Sequence, residues 1–176
     1  MRLKKIIKQL EGKFPLELAE EWDNVGLLLD STRREIKSIM LCLDITRDVV
    51  DKAVANKVDL IISHHPFIFS PLKKITTDEV NGEKILKLAR NNIAVYSMHT
   101  NIDSGIGGLN DFIIKKIGQE GKVFVISDNR CVELRKLVTG DLIDAKDKII
   151  NPLRIQKLKS AITIEELCKI IKEKLC

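Results

Sequence analysis

Apolar positions along the first two thirds of the chain alternate between two rhythms. Leu3, Ile6, Ile7 and Leu10 recur three and four residues apart, which predicts an amphipathic helix over residues 2–11. Pro15 suits a first helical turn, and a second helix is expected over residues 15–22. Val25–Leu29 and Ile36–Leu43 are short apolar runs of strand length. Residues 46–56 return to the helical rhythm, with Thr46 as N-cap and Asp48 in the first turn. Leu60–Ser63 reads as a strand, Asp78–Asn91 as a helix, Ile93–Met98 as a strand, and Gly107–Ile117 as a helix closed by Gly118.

Strand and helix alternating over residues 36–118 predict βαβ crossovers and an α/β fold with a mostly parallel sheet flanked by helices. The runs Ile-Met-Leu-Cys-Leu and Leu-Ile-Ile do not alternate with polar residues, which predicts burial on both faces of that sheet. The pattern changes after residue 120. Gly121–Ile126 and Cys131–Val138 read as strands joined through Ser-Asp-Asn at 127–129, and residues 139–160 mix charge with short apolar stretches. Thr163–Lys174 reads as a helix whose Thr163 and Glu166 have capping-box spacing. The expected organisation is an α/β lobe over 1–120 followed by a partial α+β extension over 121–176.

Composition narrows the function classes. At 176 residues, 44% hydrophobic and 31% charged, the chain is long enough and apolar enough to bury a core. No apolar run approaches the roughly 18 residues a membrane helix needs, and the basic N-terminus is helical in rhythm rather than a signal peptide, so a cytoplasmic protein is expected. Thirty Lys and Arg against 25 Asp and Glu give a formal charge of +5. The basic residues are dispersed among acidic ones, and aromatics are only 4% of the chain, which argues against a nucleic-acid footprint. Cys42, Cys131, Cys168 and Cys176 form no CxxC pair and are expected to be free thiols.

The chemistry concentrates at strand ends. All three histidines follow predicted strands: His64 and His65 in Ser63-His64-His65-Pro66, and His99 in His99-Thr100-Asn101-Ile102-Asp103. Ligands of open α/β sheets gather beyond the carboxyl ends of the strands, so these loops are expected to converge. Imidazole and carboxylate suit a divalent ion of the zinc, iron, manganese or nickel type. Neighbouring residues of a regular strand diverge, so His64 and His65 separate unless the chain turns there, a geometry better matched to two ions than to one. Ser63 before a histidine raises nucleophilic catalysis, but no GxSxG elbow accompanies it. Gly105-Ile106-Gly107-Gly108 is either a phosphate cradle or a flexible helix entry.

Glu21-Trp22-Asp23-Asn24-Val25-Gly26-Leu27, Cys42-Leu43-Asp44-Ile45-Thr46, Ile62-Ser63-His64-His65-Pro66, His99-Thr100-Asn101-Ile102-Asp103 and Gly108-Leu109-Asn110 occur in that order. Together they resemble the YbgI-like family, the GTP cyclohydrolase 1 type 2 homologues, across residues 1–120 and more weakly through 121–176. The resemblance implies a dinuclear metal centre with His64, His65 and Asp103 as ligands and His99 close by as a supporting or occasional ligand. It also implies a homo-oligomer, a hexameric ring, and a metal-dependent hydrolase acting on a nucleotide or related heterocycle. Trp22, Asp23 and Asn24 match its N-terminal motif, which a packed Trp and an Asn-x-Gly turn would explain equally well. Family members carry a further His and Glu near their C-terminus, whereas no histidine follows Asp103 here. An incomplete site is therefore expected to hold metal more weakly, and a non-catalytic metal-binding or regulatory oligomer is the alternative.

Overall fold

The computed structural model describes residues 1–33, 35–127, 130–133 and 152–175. Helix α1 (Leu3–Lys13) buries Leu3 and Ile6 on its apolar stripe, and Phe14 just beyond it is buried as well. The helix expected over 15–22 is only a 3-10 turn at Leu16–Leu18. The backbone N–H of Glu20 donates instead to the Thr100 hydroxyl at 3.0 Å, so a tertiary bond replaces the intrahelical one.

The first sheet contains β1 (Gly26–Leu29), β2 (Ile39–Cys42), β3 (Leu60–Ser63) and β4 (Ala94–Ser97) in the order β1-β4-β3-β2. β2, β3 and β4 are parallel, and β1 runs antiparallel to β4. Helices α2 (Arg47–Ala55) and α3 (Val80–Arg90) make the crossovers between the parallel strands. Thr46 caps α2 by accepting from the Val49 N–H, and Asn91 follows α3, as their sequences predict. Val50, Ala53, Ile61, Ile85, Leu88 and Val95 form the centre of the core.

β3 and β4 are buried, but β2 is not buried on both faces. It is the outer strand of the described sheet, so Met40 and Cys42 pack on the core while Leu41 remains 74% exposed. In-register parallel pairing aligns Cys42 with Ser63 and Ser63 with Ser97. The three strands therefore end side by side, and residues 43–44, 64–65 and 98–99 emerge together.

Asp59 fastens the entry to this sheet. Its buried carboxylate accepts from the N–H groups of Lys37 and Ser38, at 2.8 and 3.0 Å, and from Arg33 at 2.7 Å. Burial alone would raise its pKa, but those N–H groups and the guanidinium outweigh it and hold the carboxyl below its ordinary value. Asp59→Ala should cost about 1–3 kcal/mol near neutrality, because two partly buried N–H groups and the Arg33 guanidinium lose their acceptor. A carboxyl with a depressed folded-state pKa stabilises above its unfolded pKa, about 3.9, and loses that contribution as pH falls through the folded value. Urea denaturation should therefore show the gap between wild type and variant closing below about pH 4.

Two compact units divide the chain, Met1–Asn101 and Ile102–Cys176. Helix α4 (Thr100–Ser104) carries the chain from one into the other. Within the second unit, α5 (Leu109–Ile117) ends at Gly118 in the left-handed conformation, φ 73°. Strands β5 (Gly121–Ser127), β6 (Arg130–Glu133) and β7 (Arg154–Leu158) pair antiparallel in the order β6-β5-β7. Residues 128–129 of the expected turn and 134–138 of the expected strand lie outside the described residues. Helix α6 (Ile164–Leu175) opens with the expected capping box: Thr163 N–H donates to the Glu166 carboxylate at 2.8 Å, and Glu166 N–H to the Thr163 hydroxyl at 3.1 Å.

Candidate metal centre

The aligned strand ends bring all three imidazoles together in the Met1–Asn101 unit. Ring centroids of His64 and His65 are 5.1 Å apart, His64 and His99 5.1 Å, and His65 and His99 5.6 Å. One ring nitrogen from each lies within 4.8 Å of the others. His64 and His65 do not diverge, because the chain bends as it leaves β3. The buried Ser63 hydroxyl fixes that bend, donating to the His65 carbonyl at 2.9 Å and lying 2.8 Å from the Ser97 hydroxyl. This buried hydrogen-bonding role, rather than nucleophilic chemistry, accounts for Ser63.

Each ring is held through Nδ1 by a group that can only accept. His64 Nδ1 lies 3.0 Å from the Met98 carbonyl, His65 Nδ1 2.7 Å from the Asp44 carboxylate, and His99 Nδ1 3.0 Å from the Asp23 carboxylate. Carbonyls and carboxylates require the proton on Nδ1, so in each neutral ring the lone pair resides on Nε2. Three imidazoles with the same tautomer and mutually close rings form a donor set that suits a divalent cation.

Asp23 is the more deeply embedded orienting group, its side chain fully buried against the 19% exposed His99 side chain. Burial pushes its pKa up, but bonds from the Thr100 hydroxyl, the His99 ring, and the Thr100 and Asn24 N–H groups outweigh that and hold it below the ordinary carboxylate value. Asp23 therefore remains an anion beside His99. Asn24 donates to the Ile68 carbonyl at 2.5 Å, tying the loop after Pro66 to the same motif. Trp22 is not a packed core residue. It is 60% exposed, with its ring centroid 6.1 Å from both Phe69 and His99.

Asp103 lies on α4, in the second unit, where the Asn110 amide donates to its carbonyl at 3.2 Å. The Gly105–Gly108 stretch is a helix entry rather than a phosphate cradle. Gly107 N–H donates to Asp111 at 2.6 Å and Gly108 N–H to the Gly105 carbonyl at 3.0 Å. A Cβ on Gly108 would sit 1.9 Å from the Ile102 carbonyl oxygen, so the turn closes only with glycine there. Among the described side chains, Cys42 and Cys168 are free thiols. Asp44 is the group that pattern reading passed over. It lies two residues beyond β2, and the in-register pairing of β2 with β3 places it beside His65.

The fold and this cluster define an α/β protein whose parallel strands terminate in a candidate trihistidine metal centre. Comparison with known proteins agrees with the fold. The profile for Duf34/NIF3 (NGG1p interacting factor 3) matches residues 1–176. A GTP cyclohydrolase 1 type 2 homolog from Clostridium acetobutylicum is 35% identical over 98% of this chain and 59% of its own length. NIF3-like protein 1 from Drosophila melanogaster is 42% identical over 66% of this chain and 40% of its own. Among solved structures, a hypothetical protein from Staphylococcus aureus has a TM-score of 0.77 at 25% identity, covering 99% of this chain and 64% of that one. Reduced HcgD from Methanocaldococcus jannaschii has a TM-score of 0.74 at 30% identity, covering 98% and 60%. The chain belongs to the Duf34/NIF3 family and spans about three fifths of the length of the C. acetobutylicum relative.

Proposed function

We propose that this protein binds divalent metal through the His64, His65 and His99 imidazoles and serves as a metal-dependent hydrolase of a nucleotide or related heterocycle. The observation carrying this reading is the convergence of three imidazoles whose Nδ1 atoms each face an acceptor, on Met98, Asp44 or Asp23, which places the lone pair of each neutral ring on Nε2. The kinship with GTP cyclohydrolase 1 type 2 homologs supports the substrate class. Asp103, at the position the family resemblance assigns to a ligand, is proposed to add a carboxylate.

A bound divalent ion supplies Lewis acidity and lowers the pKa of water toward neutrality. The chain's residues do the positioning. Asp23 keeps the His99 ring from rotating, Asp44 does the same for His65, and the Ser63–Ser97 hydroxyl pair fixes the bend that carries His64 and His65. Trp22 and Phe69 offer exposed ring faces beside the histidines, an apolar surface for a planar heterocycle.

Trp22 also provides the test, being the single tryptophan of the chain. Co²⁺ or Ni²⁺ at the cluster is expected to quench its emission, since an open-shell ion deactivates an indole at this range. Zn²⁺, with a filled shell, should quench far less while competing with Co²⁺ for the same sites. Metal analysis of gently purified protein should find ions on more than half of the chains. Lower occupancy together with unchanged Trp22 emission would remove the basis for a metal-dependent activity.

A further inference from the structure

A cavity of about 530 Å³ opens beside the trihistidine cluster, within the Met1–Asn101 unit, and His65 forms part of its wall. That size is in the range of small-molecule sites. Its lining has two characters. Phe67 and Phe69 give an apolar side, while Thr46, Asn81 and Lys84 bring a hydroxyl, an amide and an ammonium, and the Asp44 carboxylate, engaged by His65 at 2.7 Å, also lines the wall. Thr46 accepts from the Val49 N–H through its oxygen, so its hydroxyl proton is available to donate elsewhere.

Lys84 is distinctive among the cations of this face. Arg47 is paired with Glu83 at 2.8 Å, and Lys87 with Asp51 at 2.6 Å. The Lys84 ammonium donates to the Ile45 carbonyl at 2.8 Å and lies 5.4 Å from the Phe67 ring centroid, with no carboxylate at salt-bridge distance among the described residues. Partial burial, then the Arg47 charge, depress its pKa, with Asp44 opposing, so an incoming anion would relieve an ammonium short of solvation. Its placement is built into the backbone. A Cβ on Gly82 would fall 2.1 Å from the Thr76 carbonyl oxygen, so glycine lets the first turn of α3 seat closely on the preceding loop, with Asn81 and Lys84 facing the cavity.

We propose that this cavity is a phosphate-binding subsite, in which Lys84 takes the phosphate of a small phosphorylated ligand whose apolar body lies on Phe67 and Phe69. The inference rests on the metal-site reading for what happens at the far end of the ligand, beside His65. Phosphate fits better than carboxylate here, because three donors, one at the start of α2 and two on α3, suit an anion with several oxygens.

The test is calorimetry on the full chain after removal of metal by a chelator, with adenosine 5′-monophosphate, adenosine, inorganic phosphate and citrate as probes. Adenosine monophosphate is expected to bind at least about tenfold more tightly than adenosine. Lys84→Met should erase that difference and leave adenosine affinity and metal content unchanged, while Lys84→Arg should largely retain it. Equal binding of the two probes by wild type, or an undiminished difference in Lys84→Met, overturns the subsite. Citrate binding as tightly as adenosine monophosphate overturns the phosphate assignment. A His64→Ala/His99→Ala chain, in which neither replaced residue lines the cavity, should keep the phosphate preference while losing metal, which separates failure of this inference from failure of the metal reading.

Discussion

Replacing His64 and His65 together by alanine is expected to remove all stoichiometric divalent metal from the protein while leaving it folded. The contacts of His64 with Met98 and of His65 with Asp44 are each worth about 0.5–1.5 kcal/mol in a partly solvated setting. Neither is part of the buried core, so circular dichroism should be unchanged and the loss of metal should not reflect unfolding. The Co²⁺ quenching of Trp22 should vanish in the same variant. Asp23→Asn is the subtler case. Asparagine keeps the shape but cannot accept from His99, Thr100 and Asn24 at once, because one of its two terminal groups is a donor. Loss of the carboxylate that orients a ligating imidazole typically weakens metal binding about 10–100-fold. Competition with a chromophoric chelator should place Asp23→Asn in that range and Asp44→Asn closer to wild type, since the Asp44–His65 pair is largely solvent-exposed. Full metal content in the double-alanine chain would refute the ligand assignment.

The repeating part of the fold was legible because its signals are local. Period-3.6 stripes, the Thr46 and Thr163 caps and Gly118 lie within a few residues of the features they specify, and the structure realises each of them. Two expectations failed because their outcome depends on distant partners. The helix over 15–22 gave way to a tertiary bond between Glu20 and Thr100, eighty residues apart. Burial of β2 on both faces failed because sheet order, which no single run of residues encodes, makes β2 the outer described strand. Convergence of the histidine loops followed from strand ends alone, but the bend after β3 depends on Ser63 and Ser97 meeting across two strands. Asp23 and Asp44 lay inside recognisable motifs, yet what each orients emerges only once the parallel register sets Cys42, Ser63 and Ser97 in a row.

In the second unit the largest expected effect belongs to Arg154. It begins β7, a strand whose mixture of charged and apolar residues conceals its periodicity, and its own side chain is only 2% exposed. The guanidinium donates to Asp111 at 2.5 Å and to the Ser104 and Gly105 carbonyls at 3.1 and 3.3 Å. Asp111 in turn accepts from the Gly107 N–H at 2.6 Å. One buried ion pair thus ties β7, the first turn of α5 and the glycine turn together. Arg154→Ala leaves the 10% exposed Asp111 carboxylate without its cation and takes the guanidinium from the Ser104 and Gly105 carbonyls, the latter keeping the Gly108 N–H. Breaking one side of such a pair costs about 3–5 kcal/mol, whereas replacing both by apolar residues of similar volume is frequently much less damaging. Hydrogen exchange of the β5, β7 and α5 amides should therefore accelerate by two to three orders of magnitude in Arg154→Ala, about 1.4 kcal/mol per tenfold. The double variant Arg154→Met/Asp111→Leu should recover a substantial part of that protection. If it exchanges as fast as Arg154→Ala, the packing of the arginine stem rather than its charge holds the turn, and β7 is anchored by apolar contact alone.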